Sequence, residues 1–215
     1  MIKAIVFDLW NTLAYNDGLN PIAELEQRFH ISDLKLIENA IQKQEFPALK
    51  DMLARFCEFF SIPADEALLA ELEQRFQLGM HSAKLFDDAL PVLKELRPRY
   101  KLGIISNTDC FSARAVAQMG LFKYFDAQCL SCDIGNIKPD KEMFLLMVER
   151  LDLRPDEILM IGDNISDDLM ISSSLGFQTL LIKRQGNPSK IHNEAGEYKD
   201  TITTLKDLNK FLKSK

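Results

Sequence analysis

Four short apolar runs, each ending at polar residues, recur along the chain: Lys3-Ala-Ile-Val-Phe-Asp8, Lys101-Leu-Gly-Ile-Ile-Ser-Asn107, Ile158-Leu-Met-Ile-Gly-Asp163 and Phe177-Gln-Thr-Leu-Leu-Ile-Lys183. They are too short for helices and rich in strand formers, so they predict buried strands. Phe125-Asp-Ala-Gln-Cys-Leu-Ser131 is a weaker fifth. Between them, Ala89 to Leu96, Ser112 to Met119, Lys141 to Arg150, and Asp167 to Leu175 before Gly176 carry helical spacing. Strand and helix alternate, which implies an α/β fold: a doubly wound parallel sheet with helices on both faces. Such sheets bind ligands at the carboxyl ends of their strands, and Asp8, Ser106, Asn107 and Asp163 fall at those ends.

Residues 16–84 break this rhythm. They hold no convincing strand but several helical stretches, among them Ala23 to Phe29 and Asp65 to Gln77, with Phe46-Pro47 and Ile62-Pro63 marking turns. The pattern predicts an all-helical subdomain inserted in a core made of residues 1–15 and 85–215. Met52 to Phe60 is strongly apolar on one face, as expected of the bundle's own core, although a substrate lid would use the same surface. Toward the end, a polar stretch from Arg184 to Glu197 reads as a surface loop, followed by a closing helix over Thr204 to Leu212.

The 215 residues are 47% hydrophobic and 27% charged, enough apolar material for a sizeable core. A net charge of -6 without a long basic run gives no reason to expect nucleic acid or a membrane surface as a partner. The first apolar run meets Asp8 too early for a signal peptide or spanning helix, so a cytoplasmic location is expected. Cys57, Cys110, Cys129 and Cys132 are expected to be reduced thiols. Cys129 and Cys132 have the spacing of half a zinc site, but no second pair or suitably spaced histidine completes it.

The candidate chemistry starts at Asp8. A strand-end aspartate acts as a nucleophile only when its charge is offset and its electrophile is held in place. Ser106 and Asn107 offer hydrogen bonds to an oxyanion, Lys138 offers positive charge, and Asp163 with Asp8 offers hard oxygen ligands for a divalent cation. Each feature has a plainer reading: Lys138 as a surface lysine, Asp140 as a helix cap, and Asp167 or Asp168 as acids favouring a helix N-terminus.

Together these segments resemble the haloacid dehalogenase superfamily over nearly the whole chain and in the expected order. The matching motifs are Phe7-Asp8-Leu9-Trp10-Asn11-Thr12-Leu13, Ile105-Ser106-Asn107-Thr108, Gly135-Asn136-Ile137-Lys138-Pro139-Asp140, and Ile161-Gly162-Asp163 with Asp168. The resemblance implies a Rossmann-like core with residues 16–84 as a helical cap. It implies that Asp8 forms an aspartyl-phosphate, that Ser106 binds the transferring group, and that Lys138 steadies the charge of both. Asp163 would hold Mg2+, with Asp168 as a metal partner or outer-shell residue, and Thr12 would brace the first loop by hydrogen bonding. Asn107 and Trp10 would meet the substrate.

One departure from the family matters. Its phosphatases carry a second aspartate two residues after the nucleophile, which protonates the leaving oxygen; here that residue is Trp10. The Trp10 carbonyl can still serve as a metal ligand, because that role needs no side chain. An aryl or acyl phosphate, with a weakly basic leaving group, tolerates the loss, whereas a sugar phosphate would need another acid, such as Asp109 or Glu45 in the cap. The reading is therefore a Mg2+-dependent phosphatase of a small phosphorylated metabolite, acting as a monomer or homodimer. A 2-haloacid dehalogenase, whose halide leaves without a proton, is the alternative that Trp10 favours, and a phospho-ligand binder without turnover is a third.

Overall fold

The computed structural model describes residues 1–184 and 198–213. The chain opens with β1 (Ala4–Phe7) and β2 (Ala14–Asn16), then four helices: α1 (Pro21–Arg28), α2 (Leu34–Ile41), α3 (Leu49–Phe59) and α4 (Glu66–His81). Next come β3 (Ala83–Leu85), α5 (Ala89–Leu96), β4 (Lys101–Ser106), α6 (Cys110–Gln118), β5 (Ala127–Leu130), α7 (Ser131–Ile134) and α8 (Lys141–Leu151). The last elements are β6 (Ile158–Gly162), α9 (Ile171–Ser174), β7 (Gln178–Ile182), β8 (Thr201–Ile202) and α10 (Leu208–Lys213).

Six strands form one sheet in the order β5-β4-β1-β6-β7-β8, and every ladder in it is parallel. Alternate strand residues enter two separate cores. Ile5, Phe7, Leu102, Ile104, Leu159 and Ile161 face one, with apolar residues of α5, α6 and α10. Ala4, Val6, Ile105, Ile158 and Met160 face the other, with Met143, Phe144, Met147 and Leu151 of α8. Burial on both faces explains why these strands read as continuous apolar runs. Gly103 marks where α8 comes closest, since a Cβ there would lie 2.7 Å from the Met147 sulfur. The chain builds outward from β1 through β4 to β5, then returns to add β6 and β7 on the other side. The reversal places a crevice beside the carboxyl end of β1.

Between β2 and β3 the chain is helical, as the loss of strand pattern predicts. Asn20 caps α1, Asp33 caps α2 and Asp65 caps α4 through side-chain oxygens. Met52, Leu53, Phe56 and Cys57 of α3 are buried, and Phe56 packs against Phe29 and Phe60 with ring centroids 5.5 and 5.0 Å apart. This is the bundle-core use of the apolar stretch. The pattern gives no sign of β2 and β3, which pair antiparallel from Ala14↔Leu85 to Asn16↔Ala83 at the two ends of the helical segment. Three-residue strands show no periodicity to read.

The helix expected over Asp167 to Leu175 begins earlier and is irregular, with a π-turn over Ile165–Met170 before α9. β8, only two residues long, also escapes the sequence pattern, and the expected closing helix is a 3-10 turn followed by α10. The loop expected beyond Arg184 lies outside the described residues.

Candidate active site

Asp8 is fixed by the strand that precedes it and the turn that follows. Its N–H donates to the Ile161 carbonyl of β6 at 2.8 Å. The turn then closes on Leu9, whose carbonyl accepts from the N–H groups of Leu13 and Ala14 at 2.8 and 2.9 Å. Asn11 takes a left-handed φ of 60° within it. The result leaves the Asp8 side chain buried at the crevice floor.

Lys138 reaches the same point from the segment after α7. Its ammonium donates to Asp8 Oδ1 and to Asp168 Oδ1, both at 2.6 Å, with the lysine only 4% exposed. Asn107, directly after β4, reads both backbone groups of this residue: its Oδ1 accepts from Lys138 N–H at 2.7 Å and its Nδ2 donates to the Lys138 carbonyl at 3.3 Å. Asp168 is fully buried on the π-turn, where its Oδ2 accepts from Asn164 N–H at 3.2 Å. A Cβ at Gly162 would run into this carboxylate, so only glycine fits at the end of β6.

Asp8, Asp163 and Asp168 each offer a carboxylate oxygen within 4.8 Å of the others'. Burial, then Asp8 and Asp168, push the Asp163 carboxyl well above its ordinary range. Burial likewise pushes Asp168 up to about 7, against the pull of Lys138. Burial works against the Lys138 charge too, yet Asp168 and Asp8 together hold its pKa above that of a free lysine. Three carboxyl groups, Asp8 and Asp168 buried and Asp163 part-buried, surround one ammonium and cannot all ionise without leaving negative charge uncompensated. Asp8 Oδ2 is also buried and has no hydrogen-bond partner among the described residues. An orphaned oxygen within a hard-oxygen cluster fits a divalent cation.

These groups line a cavity of about 180 Å³, small beside the roughly 300–1,000 Å³ typical of drug-sized ligand sites. Trp10 and Asn107 line it. Ser106 and Thr12 do not follow expectation. Ser106 ends β4 fully buried, its Oγ 3.3 Å from the Asn107 carbonyl, while Asn107 faces the cavity. The Thr12 hydroxyl is buried with no partner among the described residues, so it does not brace the loop. The Thr12 carbonyl does, accepting from Arg184 Nε at 3.1 Å and Nη2 at 2.6 Å, while Nη1 of that arginine pairs with Asp88 at 2.7 Å.

Of the two acids suggested as replacements at position 10, Asp109 lines the cavity and Glu45 does not. Glu45 is exposed and lies 3.6 Å from Arg114. Burial raises the Asp109 carboxyl, against the N–H groups of Ser112 and Phe111 that it caps. Sequence reasoning missed Lys35 and Glu38 of α2. Lys35 Nζ donates to Glu38 Oε2 at 2.9 Å, to Asp167 Oδ2 at 2.6 Å and to the Lys138 carbonyl at 2.7 Å. Glu38 also accepts from Asn107 Nδ2 at 3.1 Å and lines the cavity, its carboxyl raised by burial despite Lys35. In sequence the two are an ordinary i,i+3 charge pair, a pattern common on solvent-facing helices.

Among the described residues the Asp8 cluster is the one group with metal-ligand geometry, and all four cysteines are free and buried. No helix among them is long and apolar enough to cross a membrane.

Known proteins carry similar chains. A glyceraldehyde 3-phosphate phosphatase of Methanothermobacter thermautotrophicus is 22% identical over 86% of this chain and 87% of its own. An (S)-2-haloacid dehalogenase of Burkholderia cepacia is 27% identical over 96% and 93%. The crystal structure of a HAD phosphatase from Thermococcus onnurineus superposes with a TM-score of 0.66 at 26% identity, covering 98% of each chain. The model of the haloacid dehalogenase-like hydrolases matches residues 2–174, and with the sheet, the strand-end acids and Lys138 in place, the chain belongs to that family.

Proposed function

We propose that this protein is a Mg2+-dependent phosphatase of a small phosphorylated metabolite, with Asp8 as nucleophile. The observation that carries the reading is the cluster of three carboxyl groups, two buried and one part-buried, served by a single ammonium. Asp8, Asp163, Asp168 and the Trp10 carbonyl would hold the ion, which when bound offsets their charge and that of the phosphoryl oxygens. A carboxylate oxygen of Asp8 attacks phosphorus, the ester P–O bond breaks, and the leaving oxygen takes a proton. Water then cleaves the aspartyl-phosphate, releasing inorganic phosphate and restoring Asp8. Two of the three Lys138 N–H groups are committed to Asp8 and Asp168, and the third is available to a phosphoryl oxygen. Asn107 closes the far side of the transferring group, with Ser106 buried behind it at the end of β4, Thr12 holds the loop through its carbonyl, and Trp10 walls the substrate end. Asp109 would supply the proton, and because one of its oxygens is held by the Phe111 and Ser112 N–H groups it does so less freely than a carboxylate at position 10 would. Phosphate release from p-nitrophenyl phosphate or acetyl phosphate in Mg2+, abolished by EDTA, tests the reading; no release from either overturns it.

Trp10 favours the second reading, a 2-haloacid dehalogenase. A 2-haloacid brings a carboxylate, however, and no arginine lines the cavity among the described residues. Chloride release from 2-chloropropionate unaffected by EDTA would establish it.

Two further results are expected. Trp10→Asp supplies a carboxylate at the position of the absent acid, and general acids typically contribute about 10²–10⁴-fold. Turnover of an alkyl phosphate should rise at least about tenfold, with little change for acetyl phosphate, whose leaving group needs no proton; equal change on both would refute this account of residue 10. The second concerns pH. Asp163 and Asp168 titrate higher folded than unfolded, where the ordinary value is 3.8. The folded state therefore holds extra protons between about 4 and 7, and metal-free protein loses this contribution to stability as pH rises through that window. Mg2+ binds the ionised folded form, so the gap between melting temperatures in Mg2+ and in EDTA should widen from pH 5 to pH 8. A constant gap would count against the metal site.

A further inference from the structure

We propose that the organic part of the substrate is neutral or cationic and carries no second anion, neither a carboxylate nor a second phosphate. The inference rests on the phosphatase reading and adds the substrate class to it. Lys138 is the single cation lining the cavity among the described residues, and it is bonded to Asp8 and Asp168 at the phosphoryl end. Lys35 is the other ammonium in the surrounding network, and it is bound to Glu38, Asp167 and the Lys138 carbonyl. Neither is available to a second anion. The rest of the wall has the opposite character. Glu38, Asp109 and Asp167 add carboxyl groups to the three of the nucleophile cluster. Asn16, Asn20 and Gln42 contribute neutral amides, with Trp10, Ile22 and Leu34 supplying apolar surface. Gln42, at the end of α2, is 5% exposed, and its Oε1 has no partner among the described residues. An amide in that state suits the hydroxyl or ammonium of a small polar substrate, whereas a carboxylate would meet Glu38 and Asp167, which already share the one charge of Lys35, and find no cation of its own.

The test compares glycerol 3-phosphate with 3-phosphoglycerate, which are similar in size and differ by one carboxylate, using the full chain in Mg2+. The expected result is a kcat/KM at least about tenfold higher for glycerol 3-phosphate, the preference shrinking as added salt screens the wall. Gln42→Lys, which places a cation opposite the organic part, and Glu38→Gln, which removes a fixed acid, should each raise the relative rate on 3-phosphoglycerate. Equal rates, or preference for 3-phosphoglycerate, in protein that hydrolyses acetyl phosphate would overturn the inference and leave the phosphatase reading standing. If acetyl phosphate is not hydrolysed, that reading fails on its own. Calorimetric binding of the same two compounds to the Mg2+-loaded protein then decides: tighter glycerol 3-phosphate upholds the inference, while tighter 3-phosphoglycerate or no binding of either overturns it.

Discussion

Asp8→Asn protein, folded and supplied with Mg2+, is expected to release phosphate from acetyl phosphate at least about 10⁴-fold more slowly than the parent, because the proposed mechanism gives Asp8 the part of taking the phosphoryl group onto its oxygen. The amide keeps the shape of the side chain, and its oxygen can still accept from Lys138, so the loss is not one of packing. Asp8 sits where β1 delivers it, next to the Asp168 and Asp163 carboxylates of the neighbouring strand end. Residual turnover within tenfold of the parent would remove Asp8 from the chemistry. Single-turnover trapping of labelled phosphate on the parent but not on Asp8→Asn would identify the acceptor atom directly.

Replacing Lys138 by alanine should damage both stability and activity. The ammonium is buried and bonded to two buried carboxylates, so its removal leaves three acids together with no counter-charge. Breaking a buried pair in this way typically costs about 3–5 kcal/mol. For a chain of this length that corresponds to a fall in melting temperature of about 10 °C, read best in EDTA where no added cation takes over. Urea unfolding measures the same quantity. Adding Asp168→Asn to Lys138→Ala should restore part of the stability but none of the turnover, since it relieves the repulsion without returning a positive charge to the phosphoryl site. An unchanged unfolding midpoint for Lys138→Ala would show that the lysine is not the group holding the carboxylates together.

The sheet was legible because its strands are buried on both faces. Ile5 and Val6 point to opposite cores, yet both must be apolar, which turns each strand into a short continuous run that stands out from the helices. The strand-end acids were legible for the same reason, as abrupt polar stops after Phe7 and Gly162. The β2–β3 ribbon was not, because three residues per strand leave no repeat to detect, and its pairing joins positions about seventy residues apart. Thr12 shows another limit: a hydroxyl in the right motif suggested a side-chain brace, but the backbone carbonyl is what Arg184 engages.

Local hydrophobic period and abrupt changes of polarity were enough to specify an α/β core, a helical stretch after the first strand, and Asp8 and Asp163 at strand ends, whereas Lys138 and Asp168 stood out only through the resemblance of their motifs to the family. Contacts between distant segments fixed the rest. The two bonds of Lys138 to Asp8 and Asp168 depend on the end of β1, the π-turn after β6 and the segment after α7 converging where the sheet reverses. The entry of Glu38 into the cavity depends on how α2 settles over Asn107 and Asp167. The charge of the cavity wall is a sum over these remote neighbours, and the protonation of a buried carboxyl answers to whatever lies a few ångströms away in space rather than along the chain.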